Sequence, residues 1–153
     1  MIKLDEIDYR ILRALQSNGR IQNNDLADIV GLSPSPCLRR VRLLEEEKII
    51  ENYVALVNAS KVGLDLTVFA RVWLTGQDAA TVDHFIAAVR RLPQIVECHL
   101  MAGDCDFLLR VVAKDLASYR KFQVEDLTRI KGVQSVKTDI PMQSIKLTSA
   151  LPI

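Results

Sequence analysis

The first segment of the chain carries apolar and polar residues at helical spacing. Its apolar positions run from Leu4 to Leu15 at i, i+3, i+7, i+8 and i+11, which predicts an amphipathic helix over residues 4–18. Acidic residues from Asp5 onward crowd the first turn, where they favour the positive end of the helix dipole. We expect Asn18-Gly19 to end this helix because both residues tolerate a positive φ.

A second, shorter helix is predicted to follow, because a polar pair precedes a short apolar cluster and a glycine. Asn23 or Asn24 can cap the helix, and Gly31 can close it. The inward positions are expected to be Leu26, Ile29 and Val30.

The third helix begins with Ser33 as its cap and Pro34 at its first position, where a missing N–H costs nothing. Pro36 still lies in the first turn and is tolerated there. Its inner stripe is Cys37, Val41 and Leu44, and its outward residues are Ser35, Arg39, Arg40 and Arg42. Two helices joined by a glycine turn, the second one rich in arginine, predict a helix-turn-helix that binds DNA.

A change of pattern marks the second half of the chain. Residues 53–57 are predicted to form a strand, which could serve as a wing, and residues 58–65 a linker. The later elements are predicted as strand, helix, strand, strand, helix, strand over residues 66–75, 79–92, 95–101, 107–113, 116–130 and 133–142. That order predicts an α+β chain, with a winged helix-turn-helix domain (1–57) followed by a ferredoxin-like βαββαβ domain (66–153).

Both faces of the predicted sheet look apolar. On the first strand Phe69 and Trp73 point to the face opposite Val68 and Val72. On the third strand Leu108 likewise points to the face opposite its apolar sequence neighbours. The two helices of a ferredoxin-like domain cover only one face, so the other face needs a cover. A second copy of the chain is the simplest cover, which predicts a homo-oligomer.

Composition narrows the function only a little. The chain is 49% hydrophobic and 25% charged, as expected for a globular protein, and its net charge is +1, so any DNA affinity must come from locally placed arginines. The N-terminus is too polar for a signal peptide, and no apolar run is long enough to span a membrane. Three widely spaced cysteines suit a reducing compartment, so we predict a cytoplasmic location.

Two sequence motifs follow each other along the chain. The first combines Leu4-Asp5 and the helix after it with GLSPSPCLRRV at residues 31–41; the second is ECHLMAGDCDFLL at residues 97–109. Taken together, they resemble the Lrp/AsnC (feast/famine) family of transcription regulators. The resemblance covers residues 4–147 and is closest to the leucine-responsive branch. It implies a DNA-binding regulator whose dimers assemble into tetramers or octamers and bind a small amino acid between dimers.

The resemblance also implies which residues act. The DNA-binding residues are Ser33, Pro34, Ser35, Pro36, Arg39, Arg40 and Arg42. The effector-binding residues are Leu100, Met101, Gly103, Asp104, Cys105, Asp106, Thr138 and Ile140. The effector would be leucine or another small or apolar amino acid, and no cofactor, metal or catalytic residue is implied.

Three other interpretations of these residues remain open. Asp104 and Asp106 could be only a polar turn, whereas catalysis by them would need a nucleophile that nothing adjacent supplies. Cys98 and His99 point to opposite faces of a strand, which argues against a shared metal ion. The chain could also be an amino-acid sensor that acts through protein contacts, or a small ferredoxin-like enzyme fused to a DNA-binding module.

Overall fold

The computed structural model describes residues 2–153, and these residues form two compact units. One unit comprises residues 2–56 together with Lys146–Ile153, and the other comprises Val57–Ile145. Each unit has its own hydrophobic core. The predicted domain boundary placed residues 146–153 with the second domain, whereas in the structure they lie with the first.

Three helices build the first unit: α1 (Glu6–Ser17), α2 (Asn23–Val30) and α3 (Pro34–Glu46). α1 begins with a capping box, because the Asp5 carboxylate accepts the Asp8 N–H and the Asp8 carboxylate accepts the Asp5 N–H. The core formed by the three helices consists of Ile11, Leu12, Leu26, Ala27, Val30, Cys37 and Leu44. This arrangement is the predicted helix-turn-helix.

Several local details differ from the sequence prediction. Asn18 ends α1 in an extended conformation with φ −149°, so the expected positive φ is absent there. The N-cap of α2 is Gln22, while the Asn23 side chain instead donates to the Pro34 carbonyl at 2.8 Å. Ile29, which was predicted to point inward, is 54% exposed. Ala27 is buried in its place. Gly31 does close α2 in the left-handed region, with φ +74°.

The predicted strand over residues 53–57 does not form. This segment has no secondary structure, and Val54, Leu56 and Val57 are 74%, 84% and 68% exposed. Its β-branched composition gives it strand propensity, but propensity becomes structure only when a neighbouring strand supplies hydrogen bonds.

The second unit is the predicted ferredoxin-like domain. After a short 3-10 helix (Ser60–Val62), its elements are β1 (Leu66–Leu74), α4 (Ala79–Val89), β2 (Ile95–Leu100), β3 (Phe107–Ala113), α5 (Leu116–Phe122) and β4 (Val133–Asp139). The strands form one antiparallel sheet in the order β2-β3-β1-β4. The βαββαβ prediction is therefore confirmed, although β4 ends three residues before the predicted limit.

The helices cover one face of this sheet. Alternate residues of β1 and β3 point under them, and the ring centroids of Phe85 and Phe107 lie 4.5 Å apart. The second predicted helix is interrupted, because α5 passes into a π-helical turn at Gln123–Leu127. Its inward residues are Tyr119, Phe122 and Leu127, whereas Leu116 at its start is 59% exposed.

The opposite face of the sheet is mixed rather than uniformly apolar. Phe69, Trp73 and Leu108 lie there half-buried, and two arginines lie among them. Arg71 donates to Asp139 at 2.7 and 3.0 Å, and Arg110 pairs with Glu97 at 2.7 Å. These hydrogen bonds lower the pKa of the Asp139 and Glu97 carboxyls.

Among residues 2–153, no helix is long and apolar enough to cross a membrane.

We expect Gly132→Ala to destabilise the second unit. Gly132 has φ +95°, and an added Cβ would lie 2.8 Å from Cγ2 of Thr81. Left-handed strain alone costs about 1–3 kcal/mol, so the free energy of unfolding should fall by at least that much. Gly103→Ala is the matched control, because its Cβ would meet nothing within 4 Å. Denaturant unfolding followed by fluorescence of Trp73 measures both variants, and equal midpoints would contradict the expectation.

Candidate functional site

The entry to α3 is held by a contact that the sequence prediction missed. Ser33 precedes the helix with extended backbone (φ −76°, ψ 156°), and Pro34 stands at its first position as predicted. The amide of Asn23 fixes the Pro34 carbonyl at 2.8 Å, which connects the first residue of α2 to the start of α3. Ser33, Pro34 and Ser35 are exposed there, and Pro36 is partly exposed.

One face of α3 carries the predicted DNA-binding side chains. Ser35, Arg39 and Arg42 follow each other at i, i+4 and i+7, and all three are exposed. They line a groove of about 710 Å³ that α3 shares with the segment before α1. Two guanidinium groups on one exposed helix face suit phosphates and guanine edges.

Arg40 lines the same groove, but it is not fully outward as predicted, because its side chain is only 30% exposed and is bound to two carboxylates. Its Nη1 lies 2.9 Å from Oδ2 of Asp5 and 2.7 Å from Oδ1 of Asp8. Asp8 is the one buried charged residue among those described, at 7% exposure. The two carboxylates raise the pKa of the Arg40 guanidinium, with Asp8 contributing most.

The capping box and Arg40 therefore form one structural group, the Asp5–Asp8–Arg40 cluster. One oxygen of each carboxylate caps a backbone N–H of α1, and the other oxygen binds Arg40. The cluster joins the start of α1 to the middle of α3. A sequence signal for it exists, since Arg40 follows the buried Cys37 by three residues and so borders the buried stripe of α3.

The end of α3 is anchored as well. The Tyr53 hydroxyl donates to Oε1 of Glu45 at 2.9 Å, and burial together with this bond raises the pKa of Tyr53 to about 12. The Tyr53 ring passes close to Gly19, where an added Cβ would lie 3.3 Å away.

Cys37 lies on the inner side of α3 and is fully buried, and burial raises the pKa of its thiol. The thiol therefore serves as a small core residue, as predicted.

In the second unit, the turn between β2 and β3 is rigidly attached to β1. The Asp106 carboxylate accepts the Leu74 N–H at 2.7 Å and the Gln77 amide at 2.8 Å. The Asp106 N–H donates to the Val72 carbonyl at 3.0 Å. Both carboxylate oxygens of Asp106 already have partners within the chain, so this residue holds the turn in place. Cys105 is 7% exposed and lies below the surface of the turn.

The exposed part of the turn remains open to solvent. Leu100, Met101, Gly103 and Asp104 are exposed, and the Met101 N–H closes the turn by donating to the Asp106 carbonyl at 2.9 Å. Trp73, which the sequence analysis did not assign to the site, donates its indole N–H to the Asp104 carbonyl at 2.6 Å. The arrangement offers one free carboxylate, that of Asp104, beside two apolar side chains.

Thr138 and Ile140 do not join this turn within one chain. Thr138 pairs with Ala70, whereas the turn is attached at Val72 and Leu74. Ser135, opposite Trp73, is three residues from Thr138, or roughly 10 Å along the strand. The Thr138 hydroxyl is also occupied, because it bonds the Tyr119 hydroxyl at 2.7 Å on the helix side of the sheet. The eight predicted effector residues thus form two groups in a single chain.

The alternative metal site at Cys98 and His99 is not assembled from the described residues. Cys98 pairs with Leu109 and His99 with Leu108, so the two side chains lie on opposite faces of β2. Within residues 2–153 no three His, Cys, Asp or Glu side chains are close enough to hold a metal ion.

Two family descriptions match separate parts of the chain. Residues 4–51 match "Winged helix-turn-helix DNA-binding", and residues 67–151 match "Lrp/AsnC ligand binding domain". Among curated relatives, the leucine-responsive regulatory protein of Rhizobium meliloti is 45% identical over 145 residues, which cover 95% of this chain and 93% of that protein. The protein of the same name from Escherichia coli is 42% identical over 150 residues, covering 98% and 92%.

Solved structures show the same fold. A transcriptional regulator from Neisseria meningitidis in complex with L-Met has a TM-score of 0.95 at 37% identity, covering 98% of this chain and 97% of that one. An AsnC family transcriptional regulator from Agrobacterium tumefaciens has a TM-score of 0.92 at 37% identity, with 97% of each chain covered.

The arginines of α3 are expected to differ in the salt dependence of DNA binding. Arg39→Ala should remove a phosphate contact and reduce the slope of log affinity against log salt concentration by about 0.9. Arg40→Ala should weaken binding but leave the slope unchanged, because Arg40 binds Asp5 and Asp8. It should also lower the free energy of unfolding by about 1–3 kcal/mol, since Asp8 loses its partner. Fluorescence anisotropy over a series of salt concentrations measures the slopes, and a reduced slope for Arg40→Ala would contradict this assignment.

The capping box also predicts an acid dependence of stability. The Asp8 N–H, followed by Arg40, lowers the pKa of Asp5 below its ordinary 3.8. The ionised Asp5 therefore stabilises the fold above about pH 4, and this contribution is lost as the pH falls through the lowered pKa. Wild type should be more stable than Asp5→Asn at pH 7, and the difference should shrink below pH 4. Denaturant unfolding at both pH values is the measurement, and a difference that does not change with pH would refute the assignment.

Proposed function

The chain belongs to the Lrp/AsnC family of transcription regulators, and on this premise we propose how its two units act. The first unit binds double-stranded DNA through α3, and the second binds a small amino acid that alters the assembly or the DNA binding of the protein. The observation that carries this proposal is that Arg39 and Arg42 are exposed on one face of α3, while the inner side of the same helix packs into the hydrophobic core. No catalytic step forms part of the proposal.

The DNA contacts are assigned to two parts of α3. Exposed Ser33 and Ser35, with the backbone N–H groups of the first turn, would bind phosphates at the positive end of the helix. Pro34 and Pro36 fix the shape of that turn, and Arg39 and Arg42 would reach into the groove. Arg40 lines the same groove, and we assign it the role of supporting the helix through Asp5 and Asp8. A cytoplasmic location belongs to this proposal, since a regulator must share a compartment with its DNA.

A single copy should bind DNA weakly, because residues 1–60 hold 8 Lys and Arg against 9 Asp and Glu. Two recognition helices at a fixed spacing would raise the affinity without new contacts. We assign dimer formation to the sheet face that the helices leave open. Its half-buried Phe69, Trp73 and Leu108 provide apolar area, and its arginines already have carboxylate partners, which reduces the cost of burying them. Assembly of such dimers into tetramers or octamers is the arrangement we propose.

The effector is assigned to the turn between β2 and β3. The Asp104 carboxylate can bind an ammonium group, while Leu100 and Met101 can contact an apolar side chain. Thr138 and Ile140 lie away from this turn in one chain, so they could take part only from another copy. Leucine or another small or apolar amino acid fits these groups, and support comes from relatives named as leucine-responsive and from the neighbour crystallised with L-Met.

The proposal is tested with one DNA duplex and the twenty amino acids. A duplex selected by the protein from random sequences should bind with steep salt dependence, because phosphate contacts release counterions. A thermal-shift screen should show a rise in melting temperature with leucine, methionine or a similar amino acid.

Asp104→Asn should lose this rise but keep DNA binding, since the Asp104 side chain is exposed. Gln143→Ala, an exposed change elsewhere in the same unit, is the matched control. Absence of DNA binding at low salt would overturn the first half of the proposal. A melting temperature that no amino acid changes would overturn the second half.

A further inference from the structure

The last five residues of the chain lie against the DNA-binding unit, beside α1. The Leu151 N–H donates to Oε1 of Gln16 at 2.6 Å, and Nε2 of Gln16 donates to the Leu151 carbonyl at 3.2 Å. One carboxamide thus satisfies both backbone groups of Leu151, as a neighbouring strand would. The Ile153 N–H then donates to the Leu151 carbonyl at 3.0 Å and turns the chain end back. We call residues 149–153 the docked tail.

The docked tail borders an apolar groove of about 650 Å³ on this unit. The floor of the groove comes from α1 and from the segment after α3; its apolar lining residues are Leu4, Tyr9, Leu12, Leu15, Ile49, Ile50 and Tyr53. Ser149, Leu151 and Ile153 lie at the same groove. Alternate tail residues therefore face one surface, which is the spacing of an extended segment laid on a neighbour.

This attachment is specific but shallow. Leu151 remains 67% exposed and Ile153 38% exposed, and both bonds to Gln16 are open to solvent. Exposed hydrogen bonds contribute little net stability, so the docked tail can leave the groove without unfolding the three-helix core. A contact that can form and break separately from the core is what a two-state element requires.

The segment that leads into the docked tail is the second covalent connection between the two units. The chain leaves the first unit after Leu56 and returns to it at Lys146. The returning segment starts directly after β4, which contains Thr138 and is followed by Ile140, two of the predicted effector residues. Residues 140–148 have no helix or strand, and Met142, Ile145 and Leu147 are at least 84% exposed.

We propose that the docked tail couples effector binding to DNA binding. Through Thr138 and Ile140, which could join the effector site of another copy, amino-acid binding would shift the equilibrium between the docked and released tail. On the side of the DNA-binding unit, the groove contains Tyr53, whose hydroxyl bonds Glu45 near the end of α3 at 2.9 Å. A chain of contacts thus runs from Leu151 through α1 and Tyr53 to the recognition helix. The inference rests on the proposed function, which supplies the effector and the DNA.

Two variants of the whole chain test this coupling. Gln16→Ala removes both bonds to Leu151, and a chain ending at Thr148 removes the docked tail itself. Gln143→Ala changes an exposed glutamine of the same returning segment without touching the groove, so it is the matched control. Operator affinity is measured by anisotropy on the selected duplex, with and without leucine and methionine, and amino-acid affinity by calorimetry.

In the wild type and in Gln143→Ala, we expect the amino acid to change operator affinity by roughly fivefold or more, the usual lower range for coupled sites. In Gln16→Ala and in the truncated chain, the ratio of the operator affinities with and without the amino acid should fall close to one, while both variants still bind the amino acid and the duplex. Hydrogen exchange of residues 146–153 should be faster in Gln16→Ala, and in the wild type it should change when the amino acid is added.

The outcomes separate the inference from the function beneath it. If wild type fails to bind the amino acid or the duplex, the proposed function fails. If wild type responds and both variants respond equally strongly, the docked tail does not couple the sites and the inference is overturned. A loss of DNA binding in the truncated chain alone is resolved by Gln16→Ala, which keeps every other residue in place.

Discussion

The ion pair of Arg40 with Asp5 and Asp8 is the constraint on which the DNA-binding unit depends. Of the seven buried core residues of the first unit, α3 contributes only Cys37 and Leu44, with Val41 packed against the group. The Asp5–Asp8–Arg40 cluster adds two hydrogen bonds that join α3 to the start of α1, and two further bonds within the cluster cap α1. Arg40 is thereby bound to two carboxylates, whereas Arg39 and Arg42 in the same groove are exposed. The same group of charges thus stabilises the fold and distinguishes Arg40 from the two exposed arginines of α3.

The sequence predicted the elements well because each has a clear period and clear ends. The spacing of the apolar residues predicts the three helices, the ferredoxin-like order and the sheet with one uncovered face. Prediction failed where a residue depends on a distant partner. Arg40 lies 32 residues from Asp8, and helical spacing can place Arg40 beside the buried stripe but cannot identify this partner. Residues 53–57 have strand composition, but no strand among residues 2–153 pairs with them. The prediction that Asn23 caps α2 was wrong, because its side-chain amide donates to the Pro34 carbonyl instead.

The candidate effector site was predicted only in part, for a related reason. The Gly-Asp turn was recognised by its sequence, yet Trp73 and Gln77 come from β1 and the segment after it, about thirty residues earlier. These contacts give Asp106 a structural role and leave Asp104 as the free carboxylate. Thr138 is likewise occupied by Tyr119. Which carboxylate is free is set by the three-dimensional neighbours, and the sequence pattern treats Asp104 and Asp106 alike.

The central claim is that Arg40 acts on DNA binding through its carboxylate partners, of which Asp8 contributes most. A double-mutant cycle of Asp8→Ala and Arg40→Ala, scored on operator affinity, tests it most directly. If Arg40 acts through Asp8, each single variant and the double variant should lose nearly the same affinity, so the losses should not add. If Arg40 contacts DNA independently, the double variant should lose the sum of the two single losses, and that result would contradict the claim.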